Sequence, residues 1–510
     1  MAHDHDTTDT SISVLLAAFD RHRDRVAIRY AHGEWTYGDL LDQISRTARA
    51  LHTHGLRRGD VVALLTDNRP ETFVLRYAAN ALGCCVTVLY DDLATSLLVE
   101  MLRNADATAL VFDANRYADQ ALAVLAEVPG VTPFALGDAN GVVDITAAAA
   151  AEPREPIRVD ARPTDLASIQ FTGGSTGIPK GIPHDSRVPA YFAPAALSGW
   201  KDAVQLLCTP IGHLGGTLSG VLLAAGGLVV LHERFDAGNV LAAIEREQVS
   251  YLWLQPRLLH QLLDHPALPS TDTSSLRSIT LGGSASTPHR VVQAIERFGP
   301  IIAQGYGANE IGQITWLTTE EHLRPELLTT VGRPVPGVEL TIRDQEGGPT
   351  DGIGEIWVRG PGLMAGYYHQ PELTAEVLRD GWFHTGDLGH LDTEDYLTIV
   401  GRSKDVILAA NGHVYPSAIE DVLLRHPDIT DAVVFGVTDG SRDEHVYAAV
   451  VAAPGAVLSE DDIVQWVNRE RGAAYAPEVV TFLEKLPQTG SQKPDRQALR
   501  QLLSARGEPR

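Results

Sequence analysis

Short apolar runs of strand length alternate with helix-length amphipathic stretches along most of the chain, and this alternation restricts the fold more than any single residue does. "SISVLLAAFDRHRD" (11–24) has helical periodicity behind a Ser/Thr-rich cap, and "LLVEMLRNA" (97–105) reads as another helix. "VVALLTDN" (61–68) and "VTVLYDD" (86–92) read as buried strands. Strands exchanging with helices in this way predict an α/β architecture. At 510 residues the chain exceeds one ordinary hydrophobic core, so two or more domains are expected. The Ala- and Pro-rich stretch "AAAAAEPREPIRVDARPTD" (147–165) reads as a linking segment ahead of the strand "LASIQF" (166–171). The turn cluster "GRSKDV" (401–406) divides a large portion, 1–402, from a C-terminal portion, 403–510, whose size suits a small α+β domain.

The strand at 166–171 runs into "FTGGSTGIPKG" (171–181), too rich in glycine and proline for a helix interior or a central strand. Bare backbone N–H groups and the hydroxyls of Thr172, Ser175 and Thr176 could wrap a phosphate, although an isolated Gly/Ser run is more often a linker. A nucleotide-triphosphatase loop is excluded, because Lys180 lies between Pro179 and Gly181 and the hydroxyl that would hold magnesium is missing. A dinucleotide fingerprint is excluded as well, since "GGSTGIPKG" lacks the G-x-G-x-x-G spacing.

The formal net charge of −24 argues against a nucleic-acid surface, which would need clustered Lys and Arg. Only five of the 41 basic residues are lysines, at 180, 201, 404, 485 and 493. In a chain that otherwise uses arginine, each lysine is a candidate for chemistry that needs a compact point charge. "LSGVLLAAGGLVVL" (218–231) is too short and too glycine-broken to span a bilayer, and the acidic, polar N-terminus is unlike a signal peptide, so a cytoplasmic location without a membrane anchor is expected. Cys84, Cys85 and Cys208 lack metal-ligand spacing and are expected to be buried free thiols.

The loop at 171–181 resembles the Thr-Ser-Gly-Ser/Thr-Thr-Gly-x-Pro-Lys-Gly signature of the adenylate-forming superfamily, which includes acyl-CoA synthetases, luciferases and nonribosomal adenylation domains; Gly173 stands where serine is usual. "WTYGDLLDQISRTARAL" with "GLRRGDVVALLTDN", then "QGYGANEIG", "WFHTGDLG", "GRSKDVILAANGHVYPSAIE" and "LPQTGSQKPDR" resemble its other blocks, in order, from about residue 10 to 500. The resemblance implies a large N-terminal domain of α/β subdomains plus a β-barrel-like subdomain, with a small α+β C-terminal lid. It implies acyl-AMP and pyrophosphate from a carboxylate and ATP, then thiol attack on the mixed anhydride. ATP, Mg2+ and coenzyme A are the cofactors implied.

By the same resemblance Thr172, Gly173, Gly174, Ser175, Thr176, Gly177 and Lys180 would clasp the β- and γ-phosphates. Glu310 would carry magnesium, as one carboxylate plus phosphate oxygens usually do. Tyr306 would stack on adenine opposite Gly283, Ser284 and Ala285, with Gln304, Gly307 and Ile399 completing the nucleotide site. Asn309 replaces the usual threonine on the α-phosphate. Asp387 would accept both ribose hydroxyls, backed by Arg402. Lys404 falls at the hinge, with a solvent lysine as the alternative, and Gly412 would line the pantetheine tunnel. Lys493 would bridge the substrate carboxylate and the α-phosphate, in a block that departs from the family at Gln488 and Gln492.

His213, in "PIGHLGG", stands where α-amino-acid adenylation domains keep an Asp and where many acyl- and aryl-CoA ligases carry a gating His; a helix-cap or core histidine is the alternative. An acid without an α-amine is therefore expected. Small residues in "GHLGGTLSG", "LGGSAS" and "YGAN", with Gly283, Gly307 and Ala308 among them, leave volume for a bulky apolar acid, with backbone packing as the alternative reason for the same glycines. Coenzyme A is the expected acceptor. A carrier-protein thiol, or a sensor that binds nucleotide without turnover, are the alternatives, and the enzyme is expected as a monomer or homodimer.

Overall fold

The computed structural model describes residues 9–89, 93–172, 179–189, 192–344, 346–409, 412–438, 444–488 and 494–504. The chain forms two compact units, one of Met1–Leu254, Gln261–Thr280 and Met364–Ala375, the other of Gln255–His260, Leu281–Leu363 and Glu376–Arg510.

In the first unit a seven-stranded sheet runs, in spatial order, Val143–Asp144, Thr132–Leu136, Ala109–Asp113, Val61–Leu65, Cys85–Val88, Leu166–Thr172 and Lys180–Asp185. All neighbours are parallel except the last pair, where Leu166–Thr172 meets Lys180–Asp185 antiparallel. Val61–Leu65 and Ala109–Asp113 are buried at every position, as strands covered on both faces must be, which is why 61–65 and 109–112 read as unbroken apolar runs. A second, mostly parallel sheet carries Tyr251–Leu254, Val204–Leu207, Leu228–Leu231, Val26–Tyr30 and Gly33–Thr36 in that order.

The helix read at 11–24 spans Ser11–Arg21, and Thr10 closes a reciprocal capping box with Ser13. The helix read at 97–105 spans Thr95–Asn104. Part of the Ala-rich stretch read as linker is a helix instead, Ile145–Ala150, because Asp144 accepts from the N–H groups of Thr146 and Ala147 and so starts it. Cys84, Cys85 and Cys208 are buried free thiols, each pushed up to about 12 chiefly by burial. No helix among the described residues is long and apolar enough to cross a membrane.

In the second unit, Glu339–Arg343, Gly354–Arg359, Trp382–Leu391 and Leu378–Arg379 form an antiparallel sheet, with Leu397–Arg402 also paired to Trp382–Leu391. Strand Ile302–Ala308 folds back onto Gly312–Leu317. The C-terminal part holds Ile429–Thr438, Glu444–Ala452 and Val479–Phe482, with helices Pro416–Leu424, Glu460–Arg471 and Arg496–Ser504. Its own core includes Ile419, Val434, Ala448 and Val467, so this segment buries apolar area independently.

Candidate nucleotide and acyl site

Thr172 ends one strand and Lys180 begins the next, and the two are register partners, so the sheet fixes both ends of the loop expected to hold phosphate. Gly173, Gly174, Ser175, Thr176 and Gly177 lie outside the described residues. The Lys180 ammonium sits 5.3 Å from the centre of the Tyr367 ring, a cation–π distance. Just beyond it, Tyr368 N–H donates to Gly181 O at 2.7 Å and the Gln370 amide donates to Pro179 O at 3.1 Å. The segment 367–370 therefore buttresses the exit of the loop, a role the sequence did not reveal because about 190 residues separate the partners.

His213 is the N-cap residue of helix Leu214–Ala224, but its side chain makes no capping bond, so capping does not account for a histidine here. Its loop is built tightly. A Cβ on Gly216 would lie 1.9 Å from Ile211 O, and one on Gly215 would lie 2.6 Å from Thr209 Oγ1, so only glycine fits both positions. Buried Asn68 clamps the loop, donating to Thr209 O at 2.8 Å and accepting from Ile211 N–H at 2.8 Å. Gln170, two residues before Thr172, donates to Gly212 O at 3.4 Å, so the loop bearing His213 is tied to the strand that enters the phosphate loop.

In the second unit, strand Ile302–Ala308 carries Gln304, Tyr306, Gly307 and Ala308, and the turn that follows carries Asn309 and Glu310. Ile311 N–H donates to Ala308 O at 3.1 Å and closes that turn. Gly307 has no room for a side chain, since a Cβ would lie 2.4 Å from Gly312 O. Gln304 is buried, Asn309 exposed and Glu310 half-buried.

Tyr306 donates its hydroxyl to Asp387 Oδ2 at 2.7 Å, and Arg402 Nε donates to Asp387 Oδ1 at 3.0 Å. Burial, and then the Asp387 charge, hold the Tyr306 phenol well above its usual range, so it remains a donor. Asp387 and Arg402 face each other across paired strands, and Ile399 pairs with Gly389 in the same ribbon. Gly386 takes φ +70°, its N–H donates to Glu355 Oε1 at 3.1 Å, and Asp387 N–H donates to Thr385 Oγ1 at 3.0 Å, which together aim the carboxylate. Tyr306, Ala308 and Ile399 pack on one small core, so strands Ile302–Ala308 and Leu397–Arg402 converge there.

Gly283, at φ +85°, begins an exposed run with Ser284 and Ala285, and a Cβ there would lie 3.7 Å from Gln255. Lys404 lies exposed in the tight turn Ser403–Asp405, and Gly412 starts the short strand Gly412–Val414. Lys493 lies outside the described residues. Its neighbours are held firmly: Gln488 and Pro494 form an antiparallel bridge, and Arg496 donates to Glu420 Oε1 at 2.6 Å and to Val434 O at 3.2 Å. Among the described residues no group of three or more His, Cys, Asp or Glu side chains is arranged to hold a metal ion.

The model of the AMP-binding enzyme family matches residues 15–368, and that of the AMP-binding enzyme C-terminal domain matches 418–493. The chain is 34% identical to a medium/long-chain-fatty-acid–CoA ligase, FadD8, of Mycobacterium tuberculosis, over 96% of this chain and 89% of that one. It is 31% identical to a feruloyl-CoA synthase of Amycolatopsis sp, over 92% of this chain and 94% of that one. The solved amide bond synthetase McbA of Marinactinospora thermotolerans superposes with a TM-score of 0.84 at 36% identity, covering 96% of this chain and 99% of the other. With both family models matched along the chain and relatives above 30% identity over most of its length, the chain belongs to the AMP-binding enzyme family as an adenylate-forming ligase.

Proposed function

We propose that this ligase condenses a carboxylic acid with ATP to give acyl-AMP and pyrophosphate, and then passes the acyl group to the thiol of coenzyme A. The observation that carries the adenylation step is the buried Asp387 carboxylate, held by Tyr306 and Arg402. A carboxylate oxygen has more than one acceptor direction, so each Asp387 oxygen keeps capacity for a ribose hydroxyl. Tyr306 offers its ring to adenine while its hydroxyl orients Asp387. Thr172, Lys180 and residues 173–177 take the β- and γ-phosphates, and Gln304, Gly283, Ser284, Ala285, Gly307, Asn309 and Ile399 line the nucleoside and α-phosphate. Negative charge building at the α-phosphate calls for preorganised cationic contacts, the role given to Lys493.

Glu310 suits magnesium: it sits on a closed turn beside the Asn309 amide, and a single carboxylate is what this ion takes when phosphates supply the other oxygens. Bound there, the ion would offset phosphate charge. Lys404 would be the hinge about which 403–510 turns as a lid on the large domain, 1–402, and Gly412 would border the pantetheine path.

For the acid, the absence of a carboxylate from "PIGHLGG" favours an amine-free acid, with His213 and Ala308 at its reacting end, whereas Gly215 and Gly216 answer to packing against Thr209 and Ile211 and do not set its size. The relatives named for fatty and feruloyl acids agree with that class. An amine as a second acceptor is favoured by the 36% identity to an amide bond synthetase. The test is pyrophosphate release with ATP and magnesium across fatty, hydroxycinnamic, arylacetic and α-amino acids, followed by mass detection of the product with CoA or with a primary amine. Release from the apolar acids and a CoA ester are expected. Release from α-amino acids alone would reject the reading of the pocket.

A further inference from the structure

Arg257 lies in the helix Pro256–Leu263, two residues after Gln255, the side chain nearest Gly283. Its guanidinium makes an ion pair with Asp431, with both side chains largely buried at 21% and 17% exposure. One end of the Gln488 amide lies 2.9 Å from Nη1 and 3.2 Å from Nη2 of the same guanidinium, and with the amide oxygen assigned to that end it accepts from both. Asp431 is the third residue of the long strand Ile429–Thr438 of the C-terminal part, and Gln488 bridges Pro494, the residue that follows Lys493. One planar fork thus grips two points of the C-terminal part. Gln488 occupies a position where the family pattern has lysine, and a lysine beside Arg257 would repel it, so the departure at 488 acquires a physical reason.

We propose that Arg257 is a positioning residue for adenylation: by tying Asp431 and Gln488 to the segment beside Gly283 it holds the Gln488–Pro494 bridge in the arrangement used for adenylation, and this tie breaks before thiol attack. The proposal rests on the assignment of Lys493 and of a turning C-terminal portion made above. A buried, hydrogen-bonded pair resists separation, because either partner left alone carries an uncompensated buried charge. The adenylation arrangement is thereby favoured until acyl-AMP has formed.

The experiment compares Arg257→Ala, Arg257→Lys, Gln488→Ala and the Arg257→Ala/Gln488→Ala pair in the full chain, with the best acid of the panel above and its synthetic acyl-AMP. Arg257→Ala should lower kcat for pyrophosphate release roughly ten- to a hundredfold, the cost of a displaced catalytic group, at an unchanged KM for ATP. CoA ester formation from supplied acyl-AMP should stay at or above the parent rate. Arg257→Lys should fall between parent and Arg257→Ala, and the pair should be no worse than Arg257→Ala alone, since both changes remove one contact set. Gln488→Ala leaves the ion pair and should show the same split at smaller size even if Arg257→Ala folds poorly. Unchanged adenylation, equal loss in both half-reactions, or additive losses would overturn the tether. Lys493→Ala, assayed alongside, separates the two ideas: if it also leaves adenylation intact, the assignment of Lys493 fails; if it alone abolishes adenylation, only the tether fails.

Discussion

Tyr306 Oη lies 2.7 Å from Asp387 Oδ2, joining two strands whose residues are 81 positions apart in sequence. The contact makes one tyrosine serve both the expected adenine platform and the carboxylate expected to meet the ribose.

The first prediction separates these roles. Asp387→Ala removes up to two charge-assisted bonds to the ribose, each worth roughly 1.5–3 kcal/mol, so KM for ATP should rise by about a hundredfold or more. Tyr306→Phe keeps the ring and loses only the donor that orients Asp387, so the rise should be about three- to tenfold, less than one full hydrogen bond to a charged group. ATP titrations of pyrophosphate release check both. Equal effects would mean that the nucleotide site needs the Tyr306 hydroxyl as much as the Asp387 carboxylate itself.

A second prediction concerns the metal. Glu310→Gln keeps size and hydrogen-bonding capacity but deletes the charge that suits a hard cation. The magnesium concentration for half-maximal pyrophosphate release should increase and the maximal rate should drop. The thermal midpoint without nucleotide should stay within a few degrees of the parent, because the residue sits half-buried on a turn. Unchanged magnesium dependence would remove Glu310 from the metal site.

A third prediction is a pH effect on stability. His260 is 7% exposed, and burial, followed by the charges of Arg290, His289 and Arg257, pushes its imidazole down to about 3. The unfolded chain therefore binds a proton between roughly pH 6.5 and 3 that the folded chain refuses, so stability falls as pH drops through that window. His22, His184, His232, His322 and His384 are also lowered, burial being the largest cause for each, and they steepen the same slope. Urea midpoints of the parent and His260→Gln at pH 7 and pH 5 provide the check: the parent should lose more stability on acidification than the variant.

The elements that local pattern controls were legible in the sequence. Thr10 and Ser13 sit three apart and dictate a helix start, and the unbroken apolar run at 61–65 could only be a strand buried on both faces. The site was legible as far as ordered blocks of residues reach, which placed Tyr306, Asp387 and Arg402 in one region that the fold brings into contact. Contacts that depend on distant chain segments were not. Asn68 clamping residues 209–211, Gln370 and Tyr368 holding the loop exit, and Arg257 gripping Asp431 involve partners far apart in sequence, and an Asn, Gln or Arg carries no periodic signal of its own. The helix at 145–150 was hidden for a different reason: its alanines read as linker beside the prolines that follow, while its start depends on one Asp side chain.

The last prediction addresses the lysine that survives in an arginine-dominated chain. Lys493 precedes Pro494, whose bridge to Gln488 and proximity to the Arg496–Glu420 pair fix where the backbone leaves the C-terminal fold. Arg496 is held with raised affinity for its proton, first by Glu420 and further by Asp405, so this anchor stays charged throughout the working pH range. An ammonium delivered from such an anchor to the bond between carboxylate and α-phosphate interacts most strongly as charge shifts toward pyrophosphate, which makes it a contribution to rate and not to binding. Lys493→Ala should therefore cut acyl-AMP formation by at least about a hundredfold, the scale of one preorganised charge contact. KM for ATP should barely move, and CoA ester formation from supplied acyl-AMP should remain near the parent rate, because the proposed turn of the C-terminal portion would take the lysine out of the reacting centre. Lys404→Pro, which fixes a backbone φ at the expected hinge, should give the opposite split, with adenylation retained and thioester formation reduced. Rapid-quench measurement of the two half-reactions in both variants decides the matter: if both variants lose both halves equally, a single fixed arrangement performs the chemistry, and if Lys493→Ala still forms acyl-AMP, Lys485 becomes the lysine to remove next.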